Sequence, residues 1–148
     1  MYNHMLIATD GSDLAGRAVD HGLMLAKGIG ASVLFVTVTD IWSSVEMASE
    51  SVRGTENPMK SYEDMVGALA EKILADAKSA ADAAGMDCET HHVSDSSPAD
   101  GIIDVANEKG CDLIVMASHG RRGINLALLG SQTAKVLALS KIPVLVLR

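Results

Sequence analysis

The sequence is poor in aromatic residues, in cysteine and in long apolar runs, and each shortage excludes a class of protein. Only 3% of the 148 residues are aromatic, so few rings are available to stack on nucleic-acid bases. The two cysteines, Cys88 and Cys111, have neither a Cys-x-x-Cys spacing nor a His-rich neighbourhood, so we expect reduced packing residues rather than a zinc site or a redox pair. The longest wholly apolar runs span four or five residues, which is too short to cross a bilayer.

Positive charge is also scarce, because 12 Lys and Arg residues stand against 19 Asp and Glu residues and leave a net charge of -7. No dense basic run stands out, so we expect no nucleic-acid partner and no attachment to an anionic membrane. The N-terminus lacks the charged region, apolar core and cleavage site of a secretion signal. We therefore expect a cytoplasmic protein.

Length and patterning predict one α/β domain covering residues 1–148. A chain of this length can bury a core without disulfides or a structural metal. Apolar runs alternate with helical periods in the order β-α-β-α-β-α-β-α-β, as expected for helices packed on a parallel sheet. The predicted strands are 5–9, 32–38, 88–93, 113–117 and 143–147, and the predicted helices are 13–27, 62–84, one capped by Ser97 that ends at Gly110, and one capped by Ser131.

Two segments depart from this regular pattern. Residues 39–61 have no clean period and are rich in serine, so we expect a mobile loop that is a candidate lid. The run 88–93 is more polar than the other strands, which favours the edge of the sheet. Its adjacent histidines, His91 and His92, would point to opposite faces of a strand and could not ligate one metal together, so we expect solvated side chains.

Ligands of open parallel α/β sheets collect beyond the carboxyl ends of the strands, where the winding reverses. The loop after the fourth predicted strand contains three glycines and ends with Gly130 and Ser131 at a helix start, where free backbone N–H groups attract anions. This pattern is compatible with a phosphate site, and equally with a simple turn followed by an N-cap. It has neither the Gly-Lys-Ser/Thr of a P-loop nor the Gly-x-Gly-x-x-Gly of a dinucleotide fold.

The spacing in this loop is distinctive. Ala117 and two residues precede Gly120, and nine further residues precede Gly130-Ser131. With Asp10-Gly-Ser after the first strand, Val38 at the end of the second, Pro98 opening the third helix and Pro143-Val-Leu-Val as the last strand, the chain resembles the universal stress protein family over nearly its whole length. Nucleotide-binding members of that family have glycine where this chain has Ala117.

The resemblance implies a doubly wound, five-stranded parallel sheet of order 3-2-1-4-5 with helices on both faces. It also implies ATP, or AMP or ADP, at the carboxyl ends of strands 1 and 4, with Mg²⁺ accompanying the nucleotide. Asp10 would bond the ribose or adenine, Ala8 and Val38 would line the adenine pocket near Met116, and backbone N–H groups would hold the phosphates. The implied site residues are Ala8, Thr9, Asp10, Val38, Met116, Ala117, Gly120, Gly130, Ser131 and Gln132.

Three residues of the loop carry chemistry that the spacing alone does not assign. Arg121 and Arg122 could supply positive charge to a phosphate or simply solvate the loop. His119 could act as a general base, but we favour a loop histidine hydrogen-bonded to the backbone. Ala117 would be strained by roughly 1–2 kcal/mol only if its φ were positive.

Other functions fit the sequence less well. A response-regulator receiver would need a lysine after the fifth strand and a fifth helix, and a serine hydrolase would need a Gly-x-Ser-x-Gly elbow. We expect no dedicated catalytic residue and at most slow ATP hydrolysis. The apolar last strand, Ile142 to Leu147, lies at a sheet edge in the family order, and the resemblance implies a homodimer formed through it. The alternative is a member of the family that binds no nucleotide and acts as a dimeric interaction module.

Overall fold

The computed structural model describes residues 1–40, 54, 56–121 and 128–148. Within them, strands and helices alternate in the predicted order. The strands are β1 His4–Ala8, β2 Ser32–Val38, β3 Cys88–Val93, β4 Leu113–Ala117 and β5 Val144–Leu147. The helices are α1 Asp13–Ile29, α2 Pro58–Ala84, α3 Pro98–Glu108 and α4 Ser131–Leu139.

The five strands form one parallel sheet of order β3-β2-β1-β4-β5. The predicted order is confirmed, and the polar β3 and the apolar β5 lie at the two edges as expected. β1 and β4 are neighbours in the centre, where Met5 pairs with Leu113 and Ile7 with Val115. The loops that follow these two strands therefore emerge side by side at the carboxyl edge of the sheet.

Two helices of the described part of the chain cover each face of the sheet. Met5, Ile7 and Phe35 point to the face where α1 and α2 pack, and Leu6 and Val36 point to the face of α3 and α4. Helix α1 approaches β1 so closely that a Cβ atom on Gly22 would lie 2.5 Å from Ile7 Cδ1. Glycine at this position therefore allows the helix to lie against the central strand.

Two helices begin at a different residue from the one predicted. Helix α2 begins at Pro58 rather than Tyr62, because Asn57 caps it by accepting a hydrogen bond from Lys60 N at 3.2 Å and proline is well suited to the first helical turn. The predicted loop is thus shorter than 39–61, and residues 41–53 and 55 lie outside the described residues. The N-cap of α4 is Gly130 rather than Ser131, which is the first helical residue.

Both cysteines are free thiols in the structure. Cys111 is buried before β4, and desolvation raises the pKa of its thiol to about 11. Burial likewise raises the pKa of Cys88 on β3. In the described part of the chain, no helix has the length and apolar character needed to cross a membrane.

Candidate functional site

The loops after β1 and β4 are joined by the carboxylate of Asp10. Its Oδ1 accepts a hydrogen bond from Ser12 N at 3.0 Å, and its Oδ2 accepts one from Arg121 N at 2.8 Å. Gly120 lies so close that a Cβ atom there would overlap Oδ2. The structure therefore brings Asp10 and Gly120 together, but it assigns both carboxylate oxygens a backbone partner that the sequence did not reveal.

The side chain of Arg121 lies over the loop after β1. Its Nη2 atom is 3.3 Å from the position that a Cβ atom on Gly11 would take, and Gly11 has a φ of 76°. One guanidinium therefore lies beside the carboxyl ends of β1 and β4, where it can supply positive charge. Arg122 lies outside the described residues.

The end of β4 is held by one hydrogen bond to the end of β5 and by two to the start of α4. Ser118 N donates to Leu147 O at 2.7 Å, Gly130 N donates to Ser118 O at 2.8 Å, and Thr133 Oγ1 donates to Ala117 O at 2.9 Å. A Cβ atom on Gly130 would lie 2.9 Å from Ser118 O. Glycine at 130 is thus what allows the helix to begin directly beside the strand.

Helix α4 begins without a side-chain cap, because its N-cap residue is Gly130. The N–H groups of the first turn and the helix dipole then attract an anion. Ser131 is exposed at the first helical position. This start of α4, from Gly130 to Thr133, is the part of the crevice best suited to a phosphate group.

Ala117 fits the fold without strain. Its side chain packs with Ala15 and Ala18 of α1, on the opposite face from α4. Among the described residues, Asp95 is the only non-glycine residue with a positive φ, so Ala117 is not in the left-handed region. The methyl group that distinguishes it from glycine is accommodated by the small residues of α1.

The apolar site residues lie on one face of the sheet. Ala8 and Met116 are buried in the cluster below α3 and α4, and Val38 packs against the same cluster. Helix α3 approaches Val38 so closely that a Cβ atom on Gly101 would lie 3.1 Å from it. Thr9 is buried at the end of β1, where its Oγ1 accepts a hydrogen bond from Gly11 N at 3.3 Å.

Gln132 is positioned differently from the rest of the predicted set, because its side chain is directed to α3. Its Oε1 accepts a hydrogen bond from Ala99 N at 3.0 Å. One turn later, Lys135 Nζ donates to Asp100 Oδ2 at 2.8 Å and to Ser97 Oγ at 3.3 Å. Hydrogen bonds from Lys135 and Ser97 hold the pKa of Asp100 below its ordinary value. These contacts tie the first turns of α3 and α4 together.

The expectation for His119 was wrong, because its described partner is a side chain rather than the backbone. Its Nδ1 lies 2.9 Å from Ser118 Oγ, and Ser118 is 1% exposed. Its Nε2 is buried and has no hydrogen-bond partner in the described part of the chain. Sequence reasoning also missed the role of Thr133 in holding the end of β4. The only hint in the sequence is that a polar residue occupies a position where α4 faces the core.

The two histidines of β3 were expected to be solvated, but both are partly buried and one has a side-chain partner. His92 Nε2 lies 3.0 Å from Thr39 Oγ1. Across residues 1–40, 54, 56–121 and 128–148, no group of three or more His, Cys, Asp or Glu residues is arranged to hold a metal ion.

Comparisons with known proteins agree with this geometry. The model of the universal stress protein family matches residues 1–148. Universal stress protein YxiE of Bacillus subtilis is 34% identical over 152 residues, with 100% of both chains covered. The structure of a universal stress protein in complex with cAMP is 29% identical, covers 99% of this chain and 97% of its own, and has a TM-score of 0.70. The structure of protein MJ0577, from Methanocaldococcus jannaschii, is 26% identical with a TM-score of 0.81, and covers 99% and 96%.

Proposed function

This chain belongs to the universal stress protein family, and on that premise we propose that it binds an adenine nucleotide, as ATP, ADP or AMP. The base would lie near Ala8, Val38 and Met116, and the phosphates would lie at the start of α4. The protein would act in signalling or in the response to stress. Its cytoplasmic location remains a prediction from the sequence.

The observation that carries the proposal is the uncapped first turn of α4. Gly130 brings this turn beside the end of β4 and offers no side chain to its N–H groups. Arg121, lying over Gly11, adds positive charge at the same edge of an otherwise acidic protein. An anion gains from both features together.

Two further observations support nucleotide binding, and the first of them concerns the adenine base. A relative that is 29% identical was solved in complex with cAMP, which is an adenine nucleotide. Ala117, which departs from the family's glycine, directs its methyl group to Ala15 and Ala18 rather than to α4. The departure therefore leaves the phosphate side of the crevice unobstructed.

We expect hydrolysis to be slow. Asp10 is the carboxylate that joins the two loops of the crevice, and both of its oxygens accept backbone N–H groups. We expect a carboxylate whose two oxygens are both held by the backbone to join the two loops rather than to orient an attacking water. Mg²⁺ would arrive on the nucleotide phosphates, which is the usual way that this ion is held in nucleotide sites.

The proposal is tested by placing a negative charge at the start of α4. Ser131→Asp puts a carboxylate at an exposed first helical position, where it stabilises the helix by up to about 1 kcal/mol. The same carboxylate repels phosphates, so we expect the affinity for ATP, measured by calorimetry, to fall roughly tenfold or more. If the variant is more stable but binds ATP less tightly, the loss of affinity cannot be attributed to a damaged fold.

Ser131→Asn is the matched control, because asparagine has nearly the same size as aspartate and carries no charge. We expect its ATP affinity to stay near that of the wild type. Equal affinities for the wild type and Ser131→Asp would contradict the assignment of the phosphates to α4. Wild-type protein that purifies without adenine nucleotide and fails to bind added ATP with magnesium would refute nucleotide binding itself and favour the interaction module.

The exposed edge of β5 supports a second part of the proposal, a homodimer formed through residues Ile142 to Leu147. Among the residues that the structure describes, β5 pairs with β4 and has no strand on its other side. Three exposed leucines lie on this strand and on the preceding helix, namely Leu137, Leu139 and Leu145. An apolar sheet edge of this kind is suited to pairing with a second copy across a two-fold axis.

A further inference from the structure

We propose that His119 donates a hydrogen bond from Nε2 to a phosphate oxygen of the bound nucleotide. This inference rests on the proposed function and assigns one side chain to it. It starts from the Nε2 atom, which is buried and without a hydrogen-bond partner among the described residues. Buried polar atoms are nearly always paired in folded proteins, so an unpaired one indicates a partner other than the residues that the structure describes.

The position of His119 indicates what that partner is. A Cβ atom on Gly130 would lie 3.1 Å from His119 Cα and 3.2 Å from its Cβ. The imidazole is therefore attached directly beside the N-cap of α4, where the uncapped N–H groups attract an anion. A phosphate held at this helix start and the unpaired nitrogen of His119 would satisfy each other.

Ser118 provides the partner of the other ring nitrogen and is compatible with a proton on Nε2. Its hydroxyl lies 2.9 Å from His119 Nδ1 and is almost completely buried. A hydroxyl can donate to Nδ1, and the proton of the neutral ring then resides on Nε2. In that arrangement Nε2–H is an unpaired donor, and a phosphate oxygen bound at the start of α4 would be a suitable acceptor. Ser118 is thus a positioning residue for the imidazole.

The ring can reach a ligand without unfolding the loop. His119 as a whole is only half-buried and Gly120 beside it is exposed, although the Nε2 atom itself is covered. The backbone of Ser118 is held by Leu147 O and Gly130 N, whereas the only described hydrogen bond of the imidazole is the one to Ser118 Oγ. Rotation of the ring about this contact moves Nε2 and leaves the backbone in place.

Two substitutions of His119 test the contacts of its two ring nitrogens one at a time. His119→Gln keeps a donor near the position of Nε2 and gives up the contact with Ser118, whereas His119→Asn keeps the contact near Nδ1 and removes the donor. We expect His119→Asn to lower the affinity for AMP roughly tenfold, and His119→Gln to keep it within about threefold, by calorimetry. For adenosine, which has no phosphate, we expect both variants to bind like the wild type.

Each other outcome overturns the assignment. Wild-type affinity of His119→Asn for AMP would mean that Nε2 makes no contact. Equal losses for AMP and adenosine would place the contact on the nucleoside rather than the phosphate. A loss in both variants that follows a matching loss of thermal stability would indicate a purely structural histidine. A wild-type protein that binds neither compound would remove the proposed function as well, so the two failures are distinguishable.

Nitrogen-15 NMR of the imidazoles provides a readout that a structural role would not change. In the wild type, we expect the Nε2–H form of His119 and a change in its Nε2 resonance when AMP is added but not when adenosine is added. His21, exposed on α1, serves as the internal control and should not shift. A His119 signal that ignores AMP while calorimetry records binding would overturn the inference.

Discussion

Ala117 departs from the family pattern without straining the end of β4. The family's glycine suggests a need for close approach or a positive φ, and neither applies here. The side chain faces Ala15 and Ala18, and φ is not positive. The direction of a side chain at the end of a strand therefore decides whether a motif position tolerates a methyl group, and spacing alone does not reveal it.

Restoring the family's residue should lower stability without improving binding. Ala117→Gly removes a buried methyl group and adds backbone freedom in a strand, and we expect a loss of about 1–2 kcal/mol in the free energy of unfolding. The affinity for ATP should remain within about threefold of the wild type, a difference of less than 1 kcal/mol. Urea denaturation and calorimetry on the same variant provide both values. An affinity that rises tenfold or more would show that the methyl group obstructs the nucleotide.

The individual site residues were predictable to different degrees. Asp10, Gly120 and Gly130 were named as site residues through the family resemblance, and the structure brings them to one edge of the sheet. The partners of Gln132 and His119 did not follow, because each depends on which neighbouring side chain or helix start is in reach. Such contacts are set by the packing of α3 against α4 and by the course of the loop, and neither leaves a periodic signal in the sequence.

At the scale of elements, helix starts were predicted best where a cap and a proline adjoin an apolar period. Ser97 and Pro98 were recognised as a helix start, and Ser97 Oγ accepts a hydrogen bond from Asp100 N at 3.5 Å. The same combination at Asn57 and Pro58 was overlooked, because the preceding residues are rich in serine and no apolar stripe begins there. Both helix starts thus have a capping residue followed by proline, but an amphipathic period begins only after Ser97 and Pro98.

The start of β1 depends on an aspartate from another element. Asp112, which precedes β4, accepts hydrogen bonds from Asn3 N at 2.8 Å and from His4 N at 3.0 Å. Desolvation opposes the charge of this carboxylate, but the hydrogen bonds prevail and hold its pKa below the ordinary value of 3.8. The ionised carboxylate therefore joins the beginnings of the two central strands.

Asp112→Asn should loosen this junction in a way that depends on pH. A lowered pKa in the folded state means that the carboxylate contributes stability above its ordinary pKa and that this contribution is lost as the pH falls through the folded value. Near neutral pH we expect the variant to be less stable by about 1–3 kcal/mol in urea denaturation. Below the ordinary value of 3.8, the difference from the wild type should shrink.

Asp104→Asn, at an exposed position of α3, is the control for removing one negative charge from an acidic chain. It should change the free energy of unfolding by less than about 0.5 kcal/mol. A difference between Asp112→Asn and the wild type that stays constant down to acid pH would show that the carboxylate is not ionised in its hydrogen bonds.

At the scale of the whole molecule, alternation of strands and helices was sufficient to predict the class of fold, and the order of the strands needed the family resemblance. The apolar pattern of β1, β2 and β4 indicates burial on both faces, but several strand orders would satisfy it. The observed order places β1 and β4 together and so creates the crevice where Asp10 meets the backbone of Arg121. Thus the topology, rather than any single motif, brings the two loops into contact.

The same order leaves two edges, and they differ in character. β3 exposes polar side chains, including Glu89 and Thr90, whereas β5 is entirely apolar in sequence. Pro143 O and Leu147 O accept hydrogen bonds from β4, so the alternation along a strand turns the backbone groups of Val144 and Val146 to the free edge. These groups are available to pair with a second copy of the chain.

If the proposed dimer forms through β5, Leu145→Lys should convert it to a monomer and keep the fold. Leu145 is 38% exposed, whereas Val144 and Val146 pack against the core below α3 and α4, so a charge at 145 disturbs the edge with the least damage inside. Charged side chains on edge strands prevent pairing, and a lysine on each copy would also repel across a two-fold axis. Light scattering should therefore give twice the 15.5 kDa chain mass for the wild type and a single chain mass for the variant.

Met65→Lys provides the matched control, because Met65 is 58% exposed on α2, a helix that packs on β2 and β3 at the opposite side of the sheet. It makes the same kind of change in surface charge and should leave the dimer intact. A wild type that scatters as one chain would refute the dimer directly. A Leu145→Lys variant that remains dimeric would place the interface on another surface. Pairing along the free edge of β5 would bring residue 145 close to the partner subunit, so a lysine there should disrupt it.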